Sequence, residues 1–211
     1  MSQAARLVVD ARRPASAALE AAARVVRAGG LVAFPTETFY GLGAHALDEA
    51  AVARVFQAKG RPADKPVLVL VDSLAMVERV AREVPARARR LMGRYWPGPL
   101  TLVLPARADL PTNLTAGTGT IGVRLSSHLV ARALVAAVGA PVTAPSANPH
   151  GKASPRTADE VLAGLGARVD LLLDGGATAG GPASTVLDFT GTSAVLLRAG
   201  AVVPTPEDLE G

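Results

Sequence analysis

Apolar runs of strand length alternate with helical patterns along most of this chain, and near its end the alternation stops. The runs are LVAF (31–34), PVLVLV (66–71), LTLVLP (100–105), TIGVRL (120–125), PVTA (141–144), VDLLLD (169–174), STVLDF (184–189) and AVLLR (194–198). Helical patterns lie between the earlier ones. Ser16 opens a helix to Arg27 that Gly29 and Gly30 close. Asp48 caps EAAVARVFQAK with Gly60 just past its end. Others start at Ser73, run from Pro85 to about Gly93, span SHLVARALVAAVG, and follow a Thr157 cap. Such an order predicts α/β or α+β architecture with a sizeable mixed sheet. The last three strands have no long helices between them. A purely parallel, doubly wound sheet requires such crossovers, so the order argues against that fold.

The core must be aliphatic. Hydrophobic residues make up 49% of the 211, yet there are only four Phe, two Tyr and one Trp. With no repeat, low-complexity tract or linker, residues 1–211 read as a single domain ending in a short acidic tail, PTPEDLEG. The absence of cysteine excludes disulfides, thiolate metal sites and a cysteine nucleophile. MSQAARLVVDARRP lacks a signal-peptide core, and no segment approaches the roughly 18 apolar residues of a membrane span. A soluble, cytoplasmic protein with no membrane partner is expected. The net charge of +4 suits an anionic ligand, although arginines such as those of REVPARARRLMGR (82–94) read as solvated helix faces.

Common motifs fail. GKAS (151–154) would be a phosphate loop only with Gly at 146, where Ser146 stands, and with Ser or Thr at 153, where Ala153 stands. GLGAHA (41–46) starts too far past its strand for a dinucleotide fingerprint. His45, His128 and His150 lack ligand spacing.

Polar loops at strand and helix ends remain. KGRPADKP (59–66) holds two of the chain's three lysines, Lys59 and Lys65, with Arg61 between them. Lys59 complements a helix dipole, but Arg61 and Lys65 gain nothing from it. Three cations this close repel one another, and an anion between them turns that repulsion into attraction. PTETFYGLG (35–43) reads as either a turn or a ligand loop. APSANPHGKASP (144–155) is dense in hydroxyls suited to phosphate or ribose. DGGATAGGPASTV (174–186) is a flexible glycine stretch, a possible lid. Arg124 and Arg198 end apolar strands, where each can reach into a cleft.

Seven of these segments stand in one order: PTET-x-YGLG, KGRP-x-x-x-P, WPGPLT, GVR-x-x-x-H, PSAN-x-x-G-x-x-SP, STV-x-D and LRAG. From about Leu31 to Val202 the chain resembles the YrdC family, the threonylcarbamoyl-AMP synthases of tRNA modification. The resemblance implies a YrdC-like fold, a twisted mixed β-sheet with flanking helices around a basic concave cleft. It implies synthesis of L-threonylcarbamoyladenylate and pyrophosphate from L-threonine, bicarbonate and ATP. A tRNA-threonylcarbamoyl transferase then modifies adenosine 37. Carried over by motif, Lys59, Arg61, Lys65, Thr120, Ser146, Asn148, Ser154 and Arg198 resemble ATP contacts. Lys59 and Arg61 are the catalytic candidates. Thr38, Arg124 and Ser184 resemble L-threonine contacts, Arg124 taking the carboxylate. Mg2+ is expected on the ATP phosphates and not in a protein metal cage. Long members have a threonine-contacting histidine where this chain has Leu70, and in this the chain resembles the short, single-domain members. Two alternatives stay open: a module binding tRNA or double-stranded RNA, and carbamoyl-adenylate chemistry on another acceptor.

Overall fold

The strand segments pair into two mixed sheets. The computed structural model describes residues 4–62 and 64–209. In chain order the elements are β1 (Ala5–Val8), α1 (Ser16–Arg27), β2 (Val32–Pro35), β3 (Tyr40–Gly43), α2 (Glu49–Lys59), β4 (Val69–Leu70), α3 (Leu74–Val77), α4 (Ala86–Tyr95) and β5 (Leu100–Pro105). There follow α5 (Thr112–Thr115), β6 (Thr120–Arg124), α6 (Leu129–Val138), β7 (Val142–Thr143), α7 (Ala158–Gly164), a 3-10 turn, β8 (Leu171–Asp174), β9 (Thr185–Asp188), β10 (Val195–Arg198) and α8 (Pro206–Leu209). One sheet has the order β1-β8-β2-β3, the other β10-β9-β5-β6-β4-β7. Each mixes parallel and antiparallel pairs.

Where one sheet was expected there are two, because β3 and β7, though hydrogen-bonded through their flanks, form no continuous ladder, only the isolated bridges Gly41 to Ser146 and His45 to Val142. Helix ends follow local chemistry. Asp48 accepts from the N–H groups of Ala50 and Ala51, and Gly60 takes the left-handed φ of 59° that lets the chain leave α2. Thr157 and Glu160 form a capping box on α7. Ser16 is the first helical residue and caps nothing.

Three further differences have physical causes. The run 66–71 yields a ladder only at Val69–Leu70, because Pro66 has no N–H and the Val67 N–H goes to the Leu114 carbonyl. The segment YGLG, expected in a loop, is a fully buried strand. Its glycines admit the Phe34 ring: a Cβ on Gly43 would lie 2.8 Å from that ring and 2.8 Å from Val142. The tail is docked, with Asp208 buried against Arg94 and Tyr95.

The period of two in the six-stranded sheet then sorts chemistry by face. Leu100, Leu102, Leu104, Ile121, Val123 and Leu187 enter the core. Thr101, Val103, Thr120, Gly122, Arg124, Ser184 and Val186 point the other way, into a cleft. No helix among the described residues is long and apolar enough to cross a membrane.

Candidate active site

The cleft measures about 370 Å³. Thr38, Arg61, Thr120, Arg124, Ser146, Ser154, Ser184 and Arg198, picked out from the sequence, all line it. Thr120, Arg124 and Arg198 stand on strands of the six-stranded sheet, and the other five come from four loops.

The β2–β3 turn supplies Thr38. Thr36 Oγ1 accepts from the N–H groups of Thr38 and Phe39 and donates to the Phe39 carbonyl at 2.7 Å. The turn is therefore closed by its own side chain, and Thr38 is held with its hydroxyl 3.1 Å from that of Thr36. On the next element, the N–H groups of Leu42 and Ala147 bond to Pro145 and Tyr40, fixing Ser146 against β3.

Arg61 leaves the α2 terminus and folds back on its own loop, Nη2 donating to the Pro66 carbonyl at 2.9 Å. Burial pushes its pKa down from the ordinary guanidinium value. Arg198 donates from Nε and Nη2 to the Ser184 carbonyl, at 3.0 and 2.7 Å, and from Nη2 to Ser184 Oγ at 2.9 Å. Burial, then repulsion from Arg124, lowers its pKa as well. Thr120 Oγ1 lies 2.9 Å from Thr118 Oγ1.

Arg124 is 5% exposed. Its Nη2 lies 2.7 Å from Glu37 Oε1, in an ion pair that is close but off the N–H direction. The same nitrogen donates to Thr38 Oγ1 at 3.4 Å, and its Nε is buried without a partner. Glu37 is also held by the Ser126 hydroxyl. Burial works against ionisation of Glu37, but Arg124 and Ser126 outweigh it and hold the carboxyl below its ordinary value.

Lys59, Lys65 and Asn148 are not brought to the cleft wall. Lys59, expected to meet phosphate, is 4% exposed and spends its ammonium on the Ser146 carbonyl and, at 2.6 Å, on the Asn148 carbonyl. Its own carbonyl accepts from His150 N–H at 2.7 Å. Lys59 thus ties α2 to the 146–150 loop, and burial followed by the Arg61 charge lowers its pKa to about 8. Asn148 donates to Pro149 and Lys152 carbonyls, and its buried Oδ1 has no partner. Lys65 is exposed outside the cleft. Leu70 is buried in β4, paired in register with Arg124 and with the alternation of Leu68, which lines the cleft.

Sequence reasoning missed Thr36 and Thr101 on the cleft wall, and Glu37 and Ser126, which hold Arg124 from outside the lining. Thr101 Oγ1 is 2.9 Å from Ser184 Oγ, extending the Arg198 contact into a hydroxyl chain. Its signal was a lone polar residue in LTLVLP; that of Glu37 was its place inside PTET.

Among the described residues no group of three or more His, Cys, Asp or Glu could hold a metal ion. The cleft lining offers guanidinium and hydroxyl donors to anionic oxygen.

A family model described as "Telomere recombination", Sua5_yciO_yrdC, matches residues 24–200. The Threonylcarbamoyl-AMP synthase of Pyrococcus abyssi is 48% identical over 181 residues, covering 86% of this chain and 53% of that protein. That of Bacillus subtilis is 44% identical over 190 residues, covering 90% and 54%. This chain thus spans about half the length of these curated relatives. The crystal structure of P. abyssi Sua5 complexed with L-threonine superposes with a TM-score of 0.89 at 46% identity, covering 92% of this chain and 57% of that one.

Proposed function

The chain belongs to the Sua5/YciO/YrdC family, and from that premise we propose that it is an L-threonylcarbamoyladenylate synthase. It takes L-threonine, bicarbonate and ATP and releases pyrophosphate. Its product serves the formation of N6-threonylcarbamoyladenosine at position 37 of tRNA, through a tRNA-threonylcarbamoyl transferase in the cytoplasm. The observation that carries this reading is the convergence of Arg61, Arg124 and Arg198 on one cleft with seven serine and threonine hydroxyls.

The chemistry follows from those donors. Threonine's amine and bicarbonate give a carbamate and water. A carbamate oxygen then forms a bond to the α-phosphorus of ATP as the bond to the β-phosphate bridging oxygen breaks, and pyrophosphate leaves with the electron pair. No nucleophilic side chain is consumed. Arg61 and Arg198 carry full positive charge on rigid mounts, because each is held by neutral carbonyls, and such fixed charge stabilises what develops on phosphate oxygens. Thr38 and Ser184 orient the amino acid, with Arg124 on its carboxylate. Ser146, Ser154 and Thr120 contact the nucleotide. Lys59 acts by holding Ser146 in place. Mg2+ enters as the counter-ion of the ATP phosphates, a substrate component that needs no protein cage.

The test is pyrophosphate release from ATP with threonine and bicarbonate, alongside detection of the adenylate by mass. Release that ignores threonine or bicarbonate would refute the assignment. Faster release with another amino acid would move the acceptor, and salt-sensitive tRNA binding without release would favour an RNA-binding module.

A further inference from the structure

The cations of the cleft are not equivalent. Arg61 and Arg198 are held by uncharged acceptors, so each keeps a whole positive charge. The charge of exposed Asp64 acts on Arg61 less than burial does. Arg124 alone is paired with a carboxylate, that of Glu37, and the pair is locally neutral. Glu37 does not line the cleft; it approaches Arg124 from the turn, anchored by Ser126, whose hydroxyl also accepts from the His128 N–H. Arg124 still has a buried Nε with no partner, so it retains a donor for a ligand.

We propose that Glu37 is a specificity-determining residue: by cancelling the charge of Arg124 it makes that end of the cleft accept a zwitterionic amino acid and reject a plain anion. This rests on the synthase reading given above. A free guanidinium in such a cleft attracts any oxyanion, phosphate and carboxylate alike. Glu37 penalises every incoming carboxylate, and an ammonium on the same molecule offsets the penalty. A molecule without the ammonium meets the penalty alone. Arg198, near enough to repel Arg124, supplies the attraction that remains. The negative charge stays behind Arg124 and does not touch substrate, so Glu37 acts through its neighbour.

The probe is 3-hydroxybutyrate, which keeps threonine's methyl, hydroxyl and carboxylate and lacks the amine. Calorimetry measures its binding and that of threonine to the wild-type chain, Glu37→Gln and Glu37→Asp. In Glu37→Gln, 3-hydroxybutyrate should tighten relative to threonine by at least ~10-fold, the scale of one unit charge removed at contact range in a partly wet site. Glu37→Asp, which keeps the charge, should hold the wild-type ratio. An unchanged ratio in a Glu37→Gln chain that unfolds at the wild-type urea midpoint, or an equal shift in Glu37→Asp, would overturn the proposal. If Glu37→Gln does not fold, the wild-type chain decides: 3-hydroxybutyrate binding within about tenfold of threonine overturns the filter, and weaker binding supports it. Because this is a binding measurement, it is separate from the synthase reading, which fails on absent pyrophosphate release from the wild-type chain.

Discussion

Replacing Arg124 by methionine tests how the site is held together. The change keeps much of the side chain's length and removes its charge, so Glu37 is left beside apolar surface. Breaking one partner of a buried ion pair costs about 3–5 kcal/mol, because the survivor remains desolvated. Here the survivor keeps the Ser126 hydrogen bond and its side chain is 16% exposed, so the low end, about 3 kcal/mol, is expected. With a slope of about 2–3 kcal/mol/M, urea denaturation at pH 7 should show a midpoint roughly 1 M lower. The pH dependence gives a second check. In the wild-type chain Glu37 has a depressed pKa, so its stabilisation is present above the ordinary carboxyl value of 4.5 and is lost as pH falls through the folded value. In Arg124→Met burial, the largest influence on Glu37, is opposed only by Ser126 and by a hydrogen bond from the Glu37 backbone, and the carboxyl should rise above its ordinary value. The defect should then shrink as pH falls from 7 to 5, while the wild-type chain does not gain. The double variant Arg124→Met with Glu37→Gln removes both charges and should recover at least half of the loss at pH 7. A loss under ~1 kcal/mol in the single variant, or no recovery in the double, would refute the claim that this pair is a desolvated unit.

Three further outcomes follow from the same geometry. Arg61→Ala should lower threonine-dependent pyrophosphate release at least ~100-fold, about 3 kcal/mol of lost transition-state stabilisation; near wild-type turnover would remove Arg61 from the chemistry. Gly200→Ala should destabilise by about 1–3 kcal/mol and raise the threonine KM, because its Cβ would meet Thr185 N at 2.5 Å and Ser184 C at 2.6 Å and displace the Ser184 hydroxyl; an unchanged KM would show that the hydroxyl is not in use. Lys59 has a folded pKa of about 8 against 10.5 when unfolded, so the unfolded chain binds more protons between those values and stability should rise with pH there. Between pH 8 and 9.5 the rise should reach about 1.5 kcal/mol and be missing in Lys59→Met, as read by urea denaturation at each pH.

Local signals were enough for the elements that depend on local chemistry. Asp48, Gly60 and Thr157 mark helix ends because a cap needs only its own neighbours. The runs at 100–105 and 120–124 are strands because their alternation is long enough to have a face, and three unbroken late strands argued against a wholly parallel sheet. The charged rims were legible too: Arg61, Arg124 and Arg198 stand at element ends, and seven ordered motifs gave the family.

What the sequence could not supply was partnership between distant segments. YGLG is a buried strand only because Phe34 lies across its glycines and Pro145 and Ala147 take up its backbone groups. Lys59 and Arg61 look alike in sequence, two residues apart at one helix end. The turn at Gly60 sends one ammonium inward to two carbonyls of the 146–148 loop and the other residue's guanidinium into the cleft. Glu37 and Arg124 lie 87 positions apart, and no local pattern can pair them. A side chain's charge is written in the sequence, but whether that charge is spent on the protein itself or left for a ligand is set by what the fold places within about 3 Å of it.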